Sequence, residues 1–559
     1  MKKKIVYGLA ALSLVALLTT PFGCKKINPS DYSISVDTDV FSSPMMVFFE
    51  NAKADATKQP EGDFTVKISG DDASKVVTVL GTRDFQAHEG WIALNLAKGV
   101  DASVKPVSFI LTAKIDGFEE VRKEIVISSK DDAKFTIKVI EIGNHPSGVA
   151  EETKNIPLTN GVISSDQYLN TIVENGATET VSLKLPSGTK MLNKNGEPIS
   201  GASMSTNVRF YDVSDESIHV FPGGLAPQLV TDKDGKKIDG GIHFFTAGLM
   251  DVDMKIGDDE VKKFSNPIDA EIKINENQDN FTTGQKVKEG DLIPLWSLDE
   301  LTGQWQEEGT AKVVNSNGSL TAQFKITHLS GWNLDWGWSM FGSYGTKKVK
   351  LDVIFETSWV NPTGLYEVTL RSPNGGYLGA LHCTPIYDGF VATFESTPNI
   401  PLAYIEIYDR VTKKIVHKSA PFNPSTQNKY NVKIADSPLK YVDVSLTYSL
   451  VNTKNPKLKP TASAQIIITD LVSGIKTSFF TGSTSMKSDK GNIKVRLISG
   501  RNYKVSTLGK DGKIISCESV FDINDLSKLK YDKINGLNVK KLQYNATNKT
   551  VEIECEYLL

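Results

Sequence analysis

Few side chains in this 559-residue chain stand where chemistry is possible. Cys24 follows Gly23 and an apolar run of 14 residues, Ile5 to Leu18. It is the one cysteine in the first 382 residues. His328-Leu329-Ser330 puts an imidazole two residues before a hydroxyl. Cys517 and Cys555 lie in one C-terminal region and form the plausible disulfide pair in an oxidising compartment. Cys383, beside His382, is left over and reads as a small buried thiol. His88, His145, His219, His243 and His417 are scattered without a ligand-spaced neighbour, so no metal or cofactor is expected.

The familiar enzyme signatures are missing: the sequence contains no H-E-x-x-H, G-x-S-x-G, Walker A, G-x-G-x-x-G or C-x-x-C. Adjacent acids such as Asp258-Asp259-Glu260 read as a solvated turn. A glycosidase pair would come from distant strands and leave no local trace. Lys and Arg number 63 against 66 Asp and Glu, a net charge of -3, and hydrophobic residues make up 40%. No basic block is long enough for a nucleic-acid arm, and no partner of that kind is expected. The apolar run at the start is the only long one, which excludes a polytopic helical membrane protein.

Lys2 to Lys4, the apolar run, and the Gly23-Cys24 step together resemble the lipobox of bacterial lipoproteins. Pro21 and Phe22 depart from it, where Leu and a small residue are usual. The resemblance implies removal of residues 1–23 and lipidation of Cys24, with residues 24–36 as an anchored linker and the outer membrane as the address. The removed segment carries three lysines and no acids, so the mature chain moves from -3 to -6. The membrane partnership is therefore through the lipid rather than through surface charge.

These residues must be positioned by strands. From 37 to 142, seven short strands separated by turn residues make a sandwich of immunoglobulin-like size. Val107, Phe109, Leu111, Ala113 and Ile115 share one parity, the period of a strand with one face in a core. Gly143 to Pro157 reads as a linker. A second β-rich region spans 158–345, with hairpin turns at Asn195-Gly196 and Asp234-Gly235. Two further sandwiches are expected at 346–437 and 438–559. In the last, Gly500-Arg501-Asn502-Tyr503 resembles the Gly-x-x-Tyr turn of carboxypeptidase-regulatory-like β-sandwiches. Helical periodicity is confined to Ser165 to Val173 and Asn524 to Lys530. The fold class is all-β: tandem immunoglobulin-like β-sandwich domains behind a lipoprotein signal peptide.

Within 293–338, the order Trp296, Gly303-x-Trp305, Gly309, then His328-Leu329-Ser330 resembles the GPS motif of autoproteolysis-inducing domains. That family cuts itself before a Ser or Thr, which implies Ser330 as nucleophile, His328 as base and a break between Leu329 and Ser330. The motif's usual cysteines are replaced here by Thr310 and Ile326. After the turn, Trp332, Leu334, Trp336 and Trp338 alternate with Asn333, Asp335, Gly337 and Ser339. Such alternation marks a half-buried strand with its aromatics in a core, against an exposed platform for sugars. The expectation is a lipid-anchored envelope protein acting as a non-enzymatic binding, adhesion or scaffold module for a glycan or protein ligand. A self-cleaving protein and a glycan binder are the alternatives.

Overall fold

The computed structural model describes residues 42–558 apart from single residues and short stretches, the longest being 340–347, 452–463, 482–489 and 522–536. The expected signal peptide, Cys24, the expected anchored linker and the stretch Asn524 to Lys530 lie outside the described residues. Among those described, nearly every element is a strand, and no helix is long and apolar enough to cross a membrane.

All seven strands expected in the first unit form. They are β1 (Ser42–Asn51), β2 (Asp63–Ser69), β3 (Val76–Thr78), β5 (Trp91–Leu96), β6 (Val107–Ala113), β7 (Val121–Ile127) and β8 (Ala133–Val139), joined by a short β4 (Gln86–His88). Their order is β7-β6-β2-β4-β5-β1-β8, with β3 on β5 and with β8 parallel to β1. The shared parity of Val107, Phe109, Leu111 and Ala113 places all four in one core with Phe49, Phe64 and Leu94. Alternating burial of this kind is what a sheet with one packed face demands.

The second unit is a 14-stranded sheet. It runs from the edge pair Val162–Ile163 to β9 (Val149–Thr159) and on through Ser203–Tyr211, Thr246–Ile256, Gly331–Asp335 and Leu292–Asp299, then Gln304–Ser316, Ser319–His328, Lys263–Lys273, Val181–Leu185 and Gln167–Asn170. Two sequence expectations are corrected here. The supposed linker contains β9, which pairs along its length with Ser203–Tyr211. Its polar run, Glu151 to Asn155, hides the strand because Glu151 is there to meet a buried arginine rather than a core. The helical spacing in Ser165 to Val173 likewise gives way to a strand, Gln167–Asn170, with Leu169 and the following Thr171 buried while Ile172 and Val173 stand 63% and 62% exposed.

Beyond residue 347, four sheets of three or four strands follow, with separate pairing for Lys348–Glu356 and Asn361–Arg371 and for Tyr441–Val451 and Ala464–Asp470. Contacts from these units return to the first. Ile467 packs with Met46, Phe48, Trp91 and Ala93, and Lys504 Nζ meets a Glu89 carboxylate oxygen at 2.5 Å. Tyr503 in the Gly500 turn is buried, and its hydroxyl accepts the Ile498 N–H at 2.7 Å.

Candidate functional site

Ser330 and His328 sit at the turn between Ser319–His328 and Gly331–Asp335. The Ser330 hydroxyl is buried, donates to the Leu298 carbonyl at 2.5 Å and accepts the Leu298 N–H at 2.8 Å. One hydroxyl thus serves both backbone groups of Leu298, extending by one step the ladder that pairs Leu298 with Gly331. His328 turns elsewhere: its ring lies 4.9 Å from that of Trp332, and Nε2 is 3.9 Å from Glu308. Burial lowers its pKa, with Glu308 opposing that shift. The proton of Ser330 therefore points to a carbonyl, away from any base. Leu329 donates its N–H to the Lys262 carbonyl at 3.0 Å, and neither Leu329 nor Ser330 has a positive φ. An acyl shift asks for a nucleophile paired with a base, whereas here the Ser330 hydroxyl is hydrogen-bonded to the backbone of Leu298 and His328 faces Trp332 and Glu308.

The strand after the turn corrects the alternation reading. Trp332, Leu334 and Trp336 are in the core as expected, but Asn333 and Asp335 are fully buried on the opposite face. The strand is central, flanked by Thr246–Ile256 and Leu292–Asp299, and a second apolar cluster with Leu249, Trp296 and Leu298 covers its polar side. Thr246 Oγ1 donates to Asn333 at 2.6 Å, Asn333 Nδ2 to Asp335 at 3.2 Å, and the Phe245 N–H to Asp335 at 2.7 Å. Burial pushes the Asp335 carboxyl well above the usual range, and these two donors offset only part of that. Trp332 and Trp336 are too enclosed to stack on a sugar.

Two ionic junctions were invisible in the sequence. In the first, Arg209 lies on one face of the large sheet, in register with Glu151 on β9 and Asp251 on the next strand. Its Nε is 2.9 Å from Glu151, Nη2 is 3.0 Å from Glu119 of the first unit, and Nη1 is 3.6 Å from Asp251 and 4.0 Å from Asp253. Burial, aided by Asp253 and Glu300, raises the Asp251 carboxyl well above its ordinary value. His145 completes the group, with Nε2 3.4 Å from Glu151 and 3.8 Å from Glu119. No spacing rule could have found this set, because its members come from the β6–β7 connection, the β8–β9 connection and three strands.

In the second junction, Arg410 Nη2 bridges both oxygens of Glu50 on β1 at 2.6 Å, Lys138 Nζ on β8 reaches Glu50 at 3.0 Å, and Glu367 lies 3.9 Å from Arg410 Nε. Burial would raise the Glu50 carboxyl, but Arg410 and Lys138 hold it far below the usual range.

Cys517 and Cys555 fall on strands of different four-stranded sheets: Cys517 pairs with Val505, and Cys555 lies between Tyr448 and Val539. Their side chains, like that of Cys383, lie outside the described residues.

No family model matches the chain, and no curated protein matches it. Among solved structures, it is similar to the major pilin subunit of Bacillus cereus at 10% identity and a TM-score of 0.12, covering 92% of this chain and 99% of that one. The major pilin of Corynebacterium diphtheriae is 8% identical with a TM-score of 0.13, covering 92% and 97%. A pilus adhesin of Lactobacillus rhamnosus is 9% identical with a TM-score of 0.16, covering 93% of this chain and 56% of that one. Scores of this size mean that the chains do not superpose as wholes, so function is argued from this chain's own residues.

Proposed function

We propose that this chain is a lipid-anchored envelope protein acting as a non-enzymatic scaffold that presents its loops to a glycan or protein ligand. The observation that carries the reading is the use made of its reactive side chains. Ser330 splices two strands, Asn333 and Asp335 satisfy one another inside a sheet, and Glu119, Arg209, Glu50 and Arg410 join separate units. Side chains consumed in this way hold a rigid frame, and recognition falls to the loops such a frame exposes. Lipidation rests on Cys24 and the apolar run before it.

The test is fractionation of cells expressing the natural chain and Cys24→Ala. The natural chain is expected in the membrane pellet and the variant in the soluble fraction; a variant that still pellets overturns the anchor. Denaturing electrophoresis of the same pellet is expected to show one intact chain, and fragments ending at Leu329 would overturn the non-enzymatic reading.

A further inference from the structure

Glu119, His145 and Glu151 each offer one ligand atom, and these atoms lie within 4.8 Å of one another. The two separations from His145 Nε2, 3.4 Å and 3.8 Å, are longer than an ordinary N–H···O hydrogen bond. They are close to the edge of a tetrahedron with arms of about 2.0 Å, which is about 3.3 Å, the geometry of zinc held by imidazole and carboxylate. We propose that Glu119, His145 and Glu151 form a binding site for a divalent transition-metal ion of the zinc class, clasping the first unit to the second.

The surroundings fit that role. Arg209 holds both carboxylates: it shares Glu119 Oε1 with His145, at 3.0 Å from Nη2, and takes Glu151 from the side away from His145. Glu151 takes Arg209 Nε and Asn207 Nδ2 on one oxygen, Oε1, at 2.9 Å and 2.6 Å, leaving Oε2 facing His145. Hydrogen bonds that orient ligating groups in this manner are a regular part of metal sites. The backbone is fixed as well: Glu119 N–H donates to the Ile140 carbonyl at 2.9 Å, and Asn175 Nδ2 donates to the carbonyls of His145 and Pro146 at 3.2 Å and 2.5 Å.

Charge and unmet polarity point the same way. Four carboxyl groups, those of Glu119, Glu151, Asp251 and Asp253, lie within 4.0 Å of the single Arg209 guanidinium. Asp251 is nine-tenths buried on the other side of that guanidinium, and its Oδ1, like Asn207 Oδ1, has no hydrogen-bond partner. A cation beside Arg209 would balance this excess. The three ligand side chains retain 15%, 20% and 22% exposure, enough for a hydrated ion to enter. Imidazole with carboxylate suits zinc better than calcium or magnesium, which prefer oxygen alone. Three protein ligands leave the fourth position for water.

The test uses the mature chain, free of any histidine tag and stripped by chelator, titrated calorimetrically with zinc chloride. One zinc per chain is expected. His145→Ala and Glu151→Gln are each expected to bind at least tenfold more weakly, whereas His88→Ala, at a separate surface pair with Asp63, is expected to bind unchanged. Glu151→Gln keeps an oxygen for Arg209, so its fold should survive. Absence of binding, or equal affinity in the His145 and Glu151 variants, overturns the proposal. Cobalt(II) on the natural chain gives a reading that needs no variant. Visible bands of tetrahedral cobalt without a thiolate charge-transfer band are expected. Octahedral bands, or a thiolate band placing the metal on cysteine, overturn the site.

Discussion

The two ionic junctions use the same residue, a buried arginine, to opposite ends. At Arg410 the charges balance: Glu50 and Glu367 face Arg410 and Lys138, and the arginine and Glu50 side chains are only 7% and 13% exposed. At Arg209 four carboxyl groups face one guanidinium, and a histidine stands beside them. A balanced, enclosed set closes on itself, since each desolvated charge has a partner. In the unbalanced set burial raises the Asp251 carboxyl well above its ordinary value, and Glu119 and Glu151 stay partly wet. One junction is a lock, and the other is a lock with a vacancy of charge.

Arg410→Met should break the comparison most strongly. It strands Glu50 in an enclosed site without its closest partner, and loss of one partner of a buried pair costs about 3–5 kcal/mol, read as a lower midpoint in urea at constant slope. The pH dependence follows from the same carboxyl. Its folded pKa lies below the ordinary 4.5, so its contribution is present above that value and is lost as pH falls below it. The acid-side decline in stability should be shallower in Arg410→Met than in the natural chain; an unchanged decline would remove Glu50 from the account.

Arg209→Met should cost less, about 1.5–3 kcal/mol, because water reaches Glu119 and Glu151, which are 20% and 22% exposed. A loss as large as that at Arg410 would show that exposure does not separate the junctions. Ser330→Ala supplies a neutral baseline. It leaves the Leu298 N–H and carbonyl without their partner and should cost about 1–3 kcal/mol, with the same single band on denaturing gels as the natural chain. The smallest effect is expected for Lys504→Met, whose partner Glu89 is 32% exposed. Wet ion pairs contribute about 0.2–1 kcal/mol, so high salt should lower the natural chain's midpoint by a similar amount while leaving that of the variant nearly unmoved.

The first unit was almost fully legible, because period-2 alternation in strands such as Val107–Ala113 reports directly on one buried face. Trp332, Leu334 and Trp336 were legible for the same reason. The alternation rule failed at Asn333 and Asp335, where both faces of the strand are covered. It failed again at β9, where Glu151 looks like linker because its partner is distant in sequence.

The sequence by itself determined the β class, the main strands and the lack of local enzyme signatures, since these depend on the order of apolar and polar residues along a short segment. It left the use of the polar residues undecided. That Ser330 bonds to Leu298 rather than to His328, that His145 meets Glu119 and Glu151, and that Arg410 reaches back to Glu50 were decided only by the tertiary structure. Each is a contact between segments far apart in the chain. Its direction follows from sheet order and packing, which no local pattern encodes.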